Sequence, residues 1–175
     1  MMIIETSRLV MRPPIEADFA AWATFDADDD ATRFFGGPKN RAAAWDMFAT
    51  VAGMWALRGC GLFSVFEKQS NIWVGRVGPW KPEGATAEIG WAILPAYWGR
   101  GFATEAAEGA IKWTVENLQW PEICHCIDAG NVASIAVAQR LGGKWLRSEA
   151  DGSGKTVQVY GQTAQQWAQR PARQT

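Results

Sequence analysis

Residues 98–103, Trp98-Gly99-Arg100-Gly101-Phe102-Ala103, set two glycines one residue apart at the point where an apolar run gives way to alanine-rich sequence. Glycine tolerates left-handed backbone and lets a ligand come close to the main chain. The run before it, 88–94, alternates Ile89, Trp91 and Ile93 with Glu88, Gly90 and Ala92 and stops at Pro95, which predicts a strand. The run after it, 103–117, carries Ala103, Ala106, Ala107 and Ala110 and predicts a helix. A strand, a glycine turn and a helix start together make an anion site. The unpaired amides of the first helical turn and the positive end of the helix dipole face the turn, so a phosphate or pyrophosphate is held there without side-chain charge. The turn is neither a Gly-x-x-x-x-Gly-Lys-Ser/Thr loop nor a dinucleotide fingerprint, since the third glycine or alanine of that spacing is missing.

Other residue types with chemistry in them read more plainly. His125 is the single histidine, and its place on a predicted strand, 123–127, favours a hydrogen-bonded core role over titration in a site. Cys60, Cys124 and Cys126 cannot all pair, and Cys124 and Cys126 share one face of that strand, a poor disulfide geometry; they are expected as buried, reduced thiols. The acidic run 26–30 lacks the glycine and distal glutamate of an EF-hand and reads as a solvated connection. No metal site is expected.

The elements that must position the glycine turn follow from periodicity. Residues 4–13 predict a first strand, closed by prolines, and 15–25 a helix with Phe19, Trp22 and Ala23 inward. Gly36-Gly37-Pro38 precedes a helix over 41–57 with a stripe of Ala44, Trp45, Phe48, Val51, Ala52 and Trp55. Residues 61–67 and 72–77 flank a turn and predict a hairpin. Beyond 123–127, a helix starts near Ser134 and ends at Gly142-Gly143, followed by strands 144–147 and 156–162 and a short helix over 163–167.

The chain of 175 residues suits one domain, expected over 1–169 with a frayed tail at 170–175. With a formal net charge of -1 and no run of Lys and Arg, it offers no broad attraction to nucleic acid or anionic membrane. No apolar run approaches the roughly 20 residues of a membrane span, and no secretory signal opens the sequence, so a cytoplasmic protein is expected. Eleven tryptophans are the oddity of composition, expected as core or cleft wall.

Residues 98–103 resemble the pyrophosphate loop of the GNAT acyltransferases, Gln/Arg-x-x-Gly-x-Gly/Ala, with Trp98 departing at the first position. The wording Trp-Gly-Arg-Gly-Phe-Ala-Thr-Glu-Ala looks like the branch that includes the ribosomal-protein N-terminal acetyltransferases. Thr6-Ser7-Arg8-Leu9-Val10-Met11-Arg12 resembles the opening of that branch, and Asn131-Val132-Ala133-Ser134 with Leu141-Gly142 its second acetyl-CoA segment. The resemblance implies an α/β (α+β) GNAT fold, a mixed sheet of six to seven strands flanked by about four helices, with a splay between 88–94 and the next parallel strand, 123–127. It implies acetyl-CoA as acyl donor and a primary amine as acceptor, either a protein or peptide N-terminus or a small molecule. Ala92, Ile93 and Leu94 would contact the pantetheine arm, and Trp98, Gly99, Arg100, Gly101, Phe102 and Ala103 would cradle the pyrophosphate. Arg100 either adds charge to a phosphate or points into solvent. Asn131 would cap its helix and contact the arm. Glu88 is the candidate general base, against a structural reading as a salt-bridged strand residue. Ser134 would protonate the leaving thiolate, because the family's usual tyrosine falls at Ala138. Trp80 and Trp91 near the cleft suit an apolar or aromatic acceptor. Residues near Phe34 and Phe35 are expected to shape acceptor choice, and a homodimer is compatible with the pattern. A non-catalytic acyl-CoA-binding module is the alternative that the missing tyrosine keeps open.

Overall fold

The run 4–13 does not form one strand. Thr6 breaks it: its amide donates to the Leu9 carbonyl (3.0 Å) and its hydroxyl accepts from the Leu9 amide (3.0 Å), folding the chain into a hairpin of β1 (Ile4–Glu5) and β2 (Leu9–Arg12) with Arg8 at the bend. In the computed structural model, which describes residues 2–84, 86–151 and 153–170, β2 continues into an antiparallel sheet. Its other strands are β3 (Phe63–Glu67), β4 (Trp73–Trp80) and β5 (Glu88–Ile93), in the order β1-β2-β3-β4-β5. A second antiparallel sheet, β6-β8-β7, is built from β6 (Glu122–Ile127), β7 (Lys144–Ala150) and β8 (Thr156–Thr163). The eight strands of the described residues exceed the six or seven expected because the first run splits in two, and they fall into two sheets that part between β5 and β6. Apart from Arg170, the expected frayed tail lies outside the described residues.

Six α-helices accompany them among the described residues. Helix α1 (Phe19–Asp26) starts where Arg12 grips Asp18 with two 2.7 Å bonds. The acidic run is not simply a connection: Asp28 accepts from the Ala31 amide at 2.7 Å and caps a single turn, α2 (Asp29–Thr32). Asn40 caps α3 (Arg41–Arg58) in the same way, and Gly59 ends it in left-handed backbone. Ala44, Phe48, Val51 and Met54 form the buried stripe of α3, whereas Trp45 remains 43% exposed at its edge, against Phe19. Helices α4 (Phe102–Leu118), α5 (Val132–Arg140) and α6 (Ala164–Gln169) complete the chain. No helix among the described residues is long and apolar enough to cross a membrane.

Strand alternation divides the apolar residues between two cores. Ile89 and Ile93 of β5 join Phe102, Ala106, Ala107, Ala110 and Ile111 of α4 in one; Trp73 and Ala92 join Phe19, Trp22, Phe25 and Phe48 of α1 and α3 in the other. The second core contains a buried ion pair. Arg76 donates to Asp26 at 2.7 Å and lies over the rings of Trp22 and Phe25. Asp26 is thus fully buried, contrary to the solvated reading of its run.

Candidate active site

Strands β5 and β6 lie side by side, yet no backbone ladder joins them among the described residues. The pairing of β5 with β4 explains which groups are left to face the gap. Ala92 stands opposite Arg76 and Ile93 opposite Gly75, and past the ladder the Leu94 amide donates to the Val74 carbonyl at 2.9 Å. Antiparallel partners alternate between bonded and non-bonded pairs. Ala92 and Leu94 therefore turn their main-chain groups to β4, while Ile89, Trp91 and Ile93 turn theirs to β6.

Side chains occupy some of those outward groups. The Ile89 carbonyl accepts from His125 Nδ1 at 2.8 Å, and the Ile93 carbonyl from Trp98 Nε1 at 2.7 Å. From the other strand, the Cys126 amide donates to Glu88 Oε2 at 2.8 Å. Bonds that would have zipped the strands are thus made by an imidazole, an indole and a carboxyl. The Trp91 main chain and the Ile93 amide stay directed at the gap.

The gap opens into a cleft of about 980 Å³. Its lining brings together Gly99, Gly101, Phe102 and Ala103 of the loop, Trp91, Ile93, Asn131 and Ser134, and Phe25, Ala31, Phe34 and Phe35. Gly99 (φ 72°) and Gly101 (φ 80°) both need left-handed backbone, and Gly101 is the N-cap of α4. The first helical bond runs from the Glu105 amide to the Gly101 carbonyl at 3.0 Å, so the amides of Phe102, Ala103 and Thr104 precede it and point out of the helix start.

Arg8, at the β1–β2 bend, braces this loop. Its Nη1 donates to the Arg100 carbonyl at 2.9 Å, its Nε to Glu105 at 2.7 Å, and its guanidinium lies 4.5 Å above the Phe102 ring. Burial alone would raise the Glu105 pKa, but the bonds from the Thr6 hydroxyl and from the Arg8 amide and guanidinium outweigh it and hold the carboxyl below its ordinary value. The local sequence around Arg8 gives no sign of this role; only the bend between β1 and β2 carries it to the loop. Arg100, by contrast, is turned to Glu67 (2.9 Å) and packs on Tyr97 and Phe102, so its side chain does not hang free in solvent.

In the cleft wall, the Trp91 indole on β5 donates to Ser134 Oγ on α5 at 3.2 Å, and the Ser134 amide donates to Asn131 Oδ1 at 3.1 Å. Because the Ser134 oxygen accepts from Trp91, its own proton is free to point into the cleft. His125 is 1% exposed, and burial lowers its pKa to about 4, so it stays neutral with its Nδ1 proton on Ile89. Glu88 behaves oppositely. Burial, only partly offset by the bonds from Cys126, raises its pKa from the ordinary 4.5 to about 7, with the nearby charge of Glu149 adding to the rise. All three cysteines are free, and burial pushes up the Cys60, Cys124 and Cys126 thiols.

A family model described as an acetyltransferase (GNAT) domain matches residues 8–144. The chain belongs to the GNAT acetyltransferases. Protein YkkB of Bacillus subtilis (strain 168) is 33% identical over 87 residues, 48% of this chain and about half (51%) of that relative's length. The crystal structure of an acetyltransferase from Agrobacterium tumefaciens matches with a TM-score of 0.84 at 28% identity, covering 93% of this chain and 94% of the other. At the level of fold alone, a spermidine N-acetyltransferase from Vibrio cholerae in complex with CoA and spermine matches with a TM-score of 0.75 at 14% identity, covering 93% and 99% of the two chains.

Within this GNAT domain, the residues expected at the site are not all placed alike. Gly99, Gly101, Phe102, Ala103, Ile93, Asn131 and Ser134 meet in one cleft. Ala92 and Trp98 line it as well, but the Ala92 main chain is turned to β4 and the Trp98 indole is spent on the Ile93 carbonyl. The Leu94 amide is used by Val74 and is not available to a pantetheine arm; Trp91 takes its place facing the gap. Glu88 stands outside the cleft wall, four residues and about 13 Å along the strand from Ala92.

Proposed function

We propose that this protein transfers an acetyl group from acetyl-CoA to a primary amine by direct attack in a ternary complex, as a member of the branch that resembles the ribosomal-protein N-terminal acetyltransferases. The observation that carries the reading is the parted pair β5 and β6, whose gap runs from the glycine loop past free main-chain groups to the Ser134 hydroxyl. The amides from Gly99 to Ala103 hold the diphosphate of the coenzyme, favoured by the dipole of the 17-residue helix α4. The amides of its pantetheine arm pair with the main chain of Trp91 and Ile93, much as a short strand would. Arg8, its charge paired with Glu105, keeps the loop in shape.

The chemistry needs three things. The acceptor must lose a proton, and Glu88, with a pKa near neutrality, takes it through water, given its distance from Ala92. The amine nitrogen then attacks the thioester carbonyl. A gap-facing amide stabilises the resulting oxyanion, an effect worth about 3 kcal/mol for a well-placed donor. As the carbon–sulfur bond breaks, Ser134 donates its proton to the sulfur, its oxygen steadied by the Trp91 indole. No covalent enzyme intermediate is involved, and the chemistry of the residues present calls for no metal. Phe34, Phe35 and Trp91 give the cleft aromatic walls, which favours an acceptor with an apolar or aromatic group beside its amine, whereas Trp80 is not among the lining residues and packs against the second core.

The test combines two measurements. Titration calorimetry should find coenzyme A bound, and acetyl-CoA incubated with a panel of amines should release free thiol only when a suitable amine is present. Absence of coenzyme A binding removes the whole reading. Binding without amine-dependent thiol release leaves an acyl-CoA-binding module and no enzyme.

A further inference from the structure

Glycine inside a strand costs stability and needs a reason. Two glycines face each other across β4 and β5, Gly78 opposite Gly90, and their reasons differ. A Cβ on Gly78 would come within 2.8 Å of the Gly61 carbonyl and 2.9 Å of the Phe63 ring, so packing forbids one there. A Cβ on Gly90 would meet no atom within 4 Å, and Gly90 has no left-handed backbone to maintain. Neither conformation nor packing accounts for glycine at position 90.

Its surroundings suggest what does. Gly90 is half-buried and lies on the same face of β5 as Glu88 and Ala92. On one side the Gly78–Gly90 pair is bordered by Trp80 opposite Glu88, on the other by Arg76 opposite Ala92. Gly78 is itself buried, so the open ground lies over Gly90 alone, between Glu88 and Ala92, where the cleft begins. This face is opposite to the one that packs on α4, whose N-terminus carries the glycine loop. A donor bound on the α4 side leaves this side for the acceptor.

We propose that Gly90 is the floor of the acceptor path: the amine passes over Gly90, between Glu88 and the gap-facing main chain of Trp91, and the missing side chain at position 90 makes room for it. Gly90 is thus a specificity-determining residue. This rests on the acetyltransferase reading, and it also accounts for how a carboxyl outside the cleft wall serves the reaction. Over Gly90 there is room for the acceptor's amine group or for a water that relays its proton.

Gly90→Ala and Gly90→Val test it against the wild type. Each protein is assayed for thermal midpoint, for coenzyme A affinity by calorimetry, and for thiol release from acetyl-CoA with spermidine, tryptamine and a heptapeptide with a free N-terminal serine. Valine favours strands and its backbone is permitted here, so the Val variant should melt at or above the wild-type temperature and bind coenzyme A within about twofold. With whichever amine the wild type acetylates, kcat/KM should fall roughly 100-fold for Val and about 10-fold for Ala, the order expected for steric exclusion from a fitted site. Wild-type kcat/KM in the Val variant overturns the proposal. So does a loss of activity that tracks a lowered midpoint or weakened coenzyme A binding, since Gly90 would then serve the fold or the donor. A wild type that binds coenzyme A but acetylates none of these amines removes the transferase reading, and the acceptor path falls with it.

Discussion

Replacing Glu88 by Gln should make the protein more stable and less active at the same time. In the folded state the carboxyl keeps its proton up to about pH 7, whereas an unfolded chain gives it up near 4.5. Between those values the folded state binds more protons, so the Glu88 contribution is favourable below about 4.5 and is lost as pH rises through 7. The separation corresponds to at most roughly 3 kcal/mol of destabilisation at pH 8. A glutamine can still accept the bond from the Cys126 amide while carrying no charge to bury. At pH 8 the variant should therefore melt several degrees above the wild type, since a chain of this size gains about 2–4 °C per kcal/mol. At pH 4.5 the two should differ little. Activity should move the other way: wild-type kcat rises with an apparent pKa near 7, and the variant loses roughly 100-fold or more and that pH dependence with it. Melting curves and thiol release from pH 5 to 9 measure both. A variant that is less stable at pH 8, or that retains wild-type kcat, would refute the assignment of Glu88 as a buried base.

Three other perturbations probe separate parts of the site. Gly101→Glu forces a side chain and a negative charge onto left-handed backbone at the start of α4, and should weaken coenzyme A binding by roughly 100-fold in calorimetry. Ser134→Ala should lower kcat about tenfold with little change in the acetyl-CoA Michaelis constant, whereas an unchanged kcat would take Ser134 out of the reaction. Arg76→Ala leaves the fully buried Asp26 without its partner and should cost about 3–5 kcal/mol in denaturant unfolding, with the loss largely recovered by adding Asp26→Asn.

Much of this was legible in the chain itself, and the failures have physical causes. The glycine spacing at 99 and 101 and the helix after it could be read directly, because positive φ and exposed helical amides have strong local signatures. The cap at Asn131 was equally local. By contrast, the choice between Leu94 and Trp91 as a gap-facing residue depends on the register of β5 against β4, a tertiary fact that alternation alone leaves twofold ambiguous. Arg8 stays hidden within a strand expected over 4–13, because the hairpin that carries it depends on a single side-chain bond at Thr6. The turn α2 was invisible for a similar reason: four residues are too few to show a period, and its cap, Asp28, sits in a run of like residues. The partnership of Asp26 with Arg76 spans 50 positions, beyond the reach of any local pattern.

The two sheets meet along a seam stitched by a few side-chain bonds, from the Cys126 amide to Glu88 and from His125 to the Ile89 carbonyl, in place of a continuous ladder. A coenzyme threaded into that seam would act as mortar as well as reagent. Its arm would span the interval between the five-stranded and three-stranded parts, so that occupancy and rigidity rise together. At a hundredfold excess over its dissociation constant, such a ligand adds about 2.7 kcal/mol to the folded state. The enzyme would then be firmest when charged with donor and loosest once the spent coenzyme leaves, tying the order of binding to the architecture of the gap.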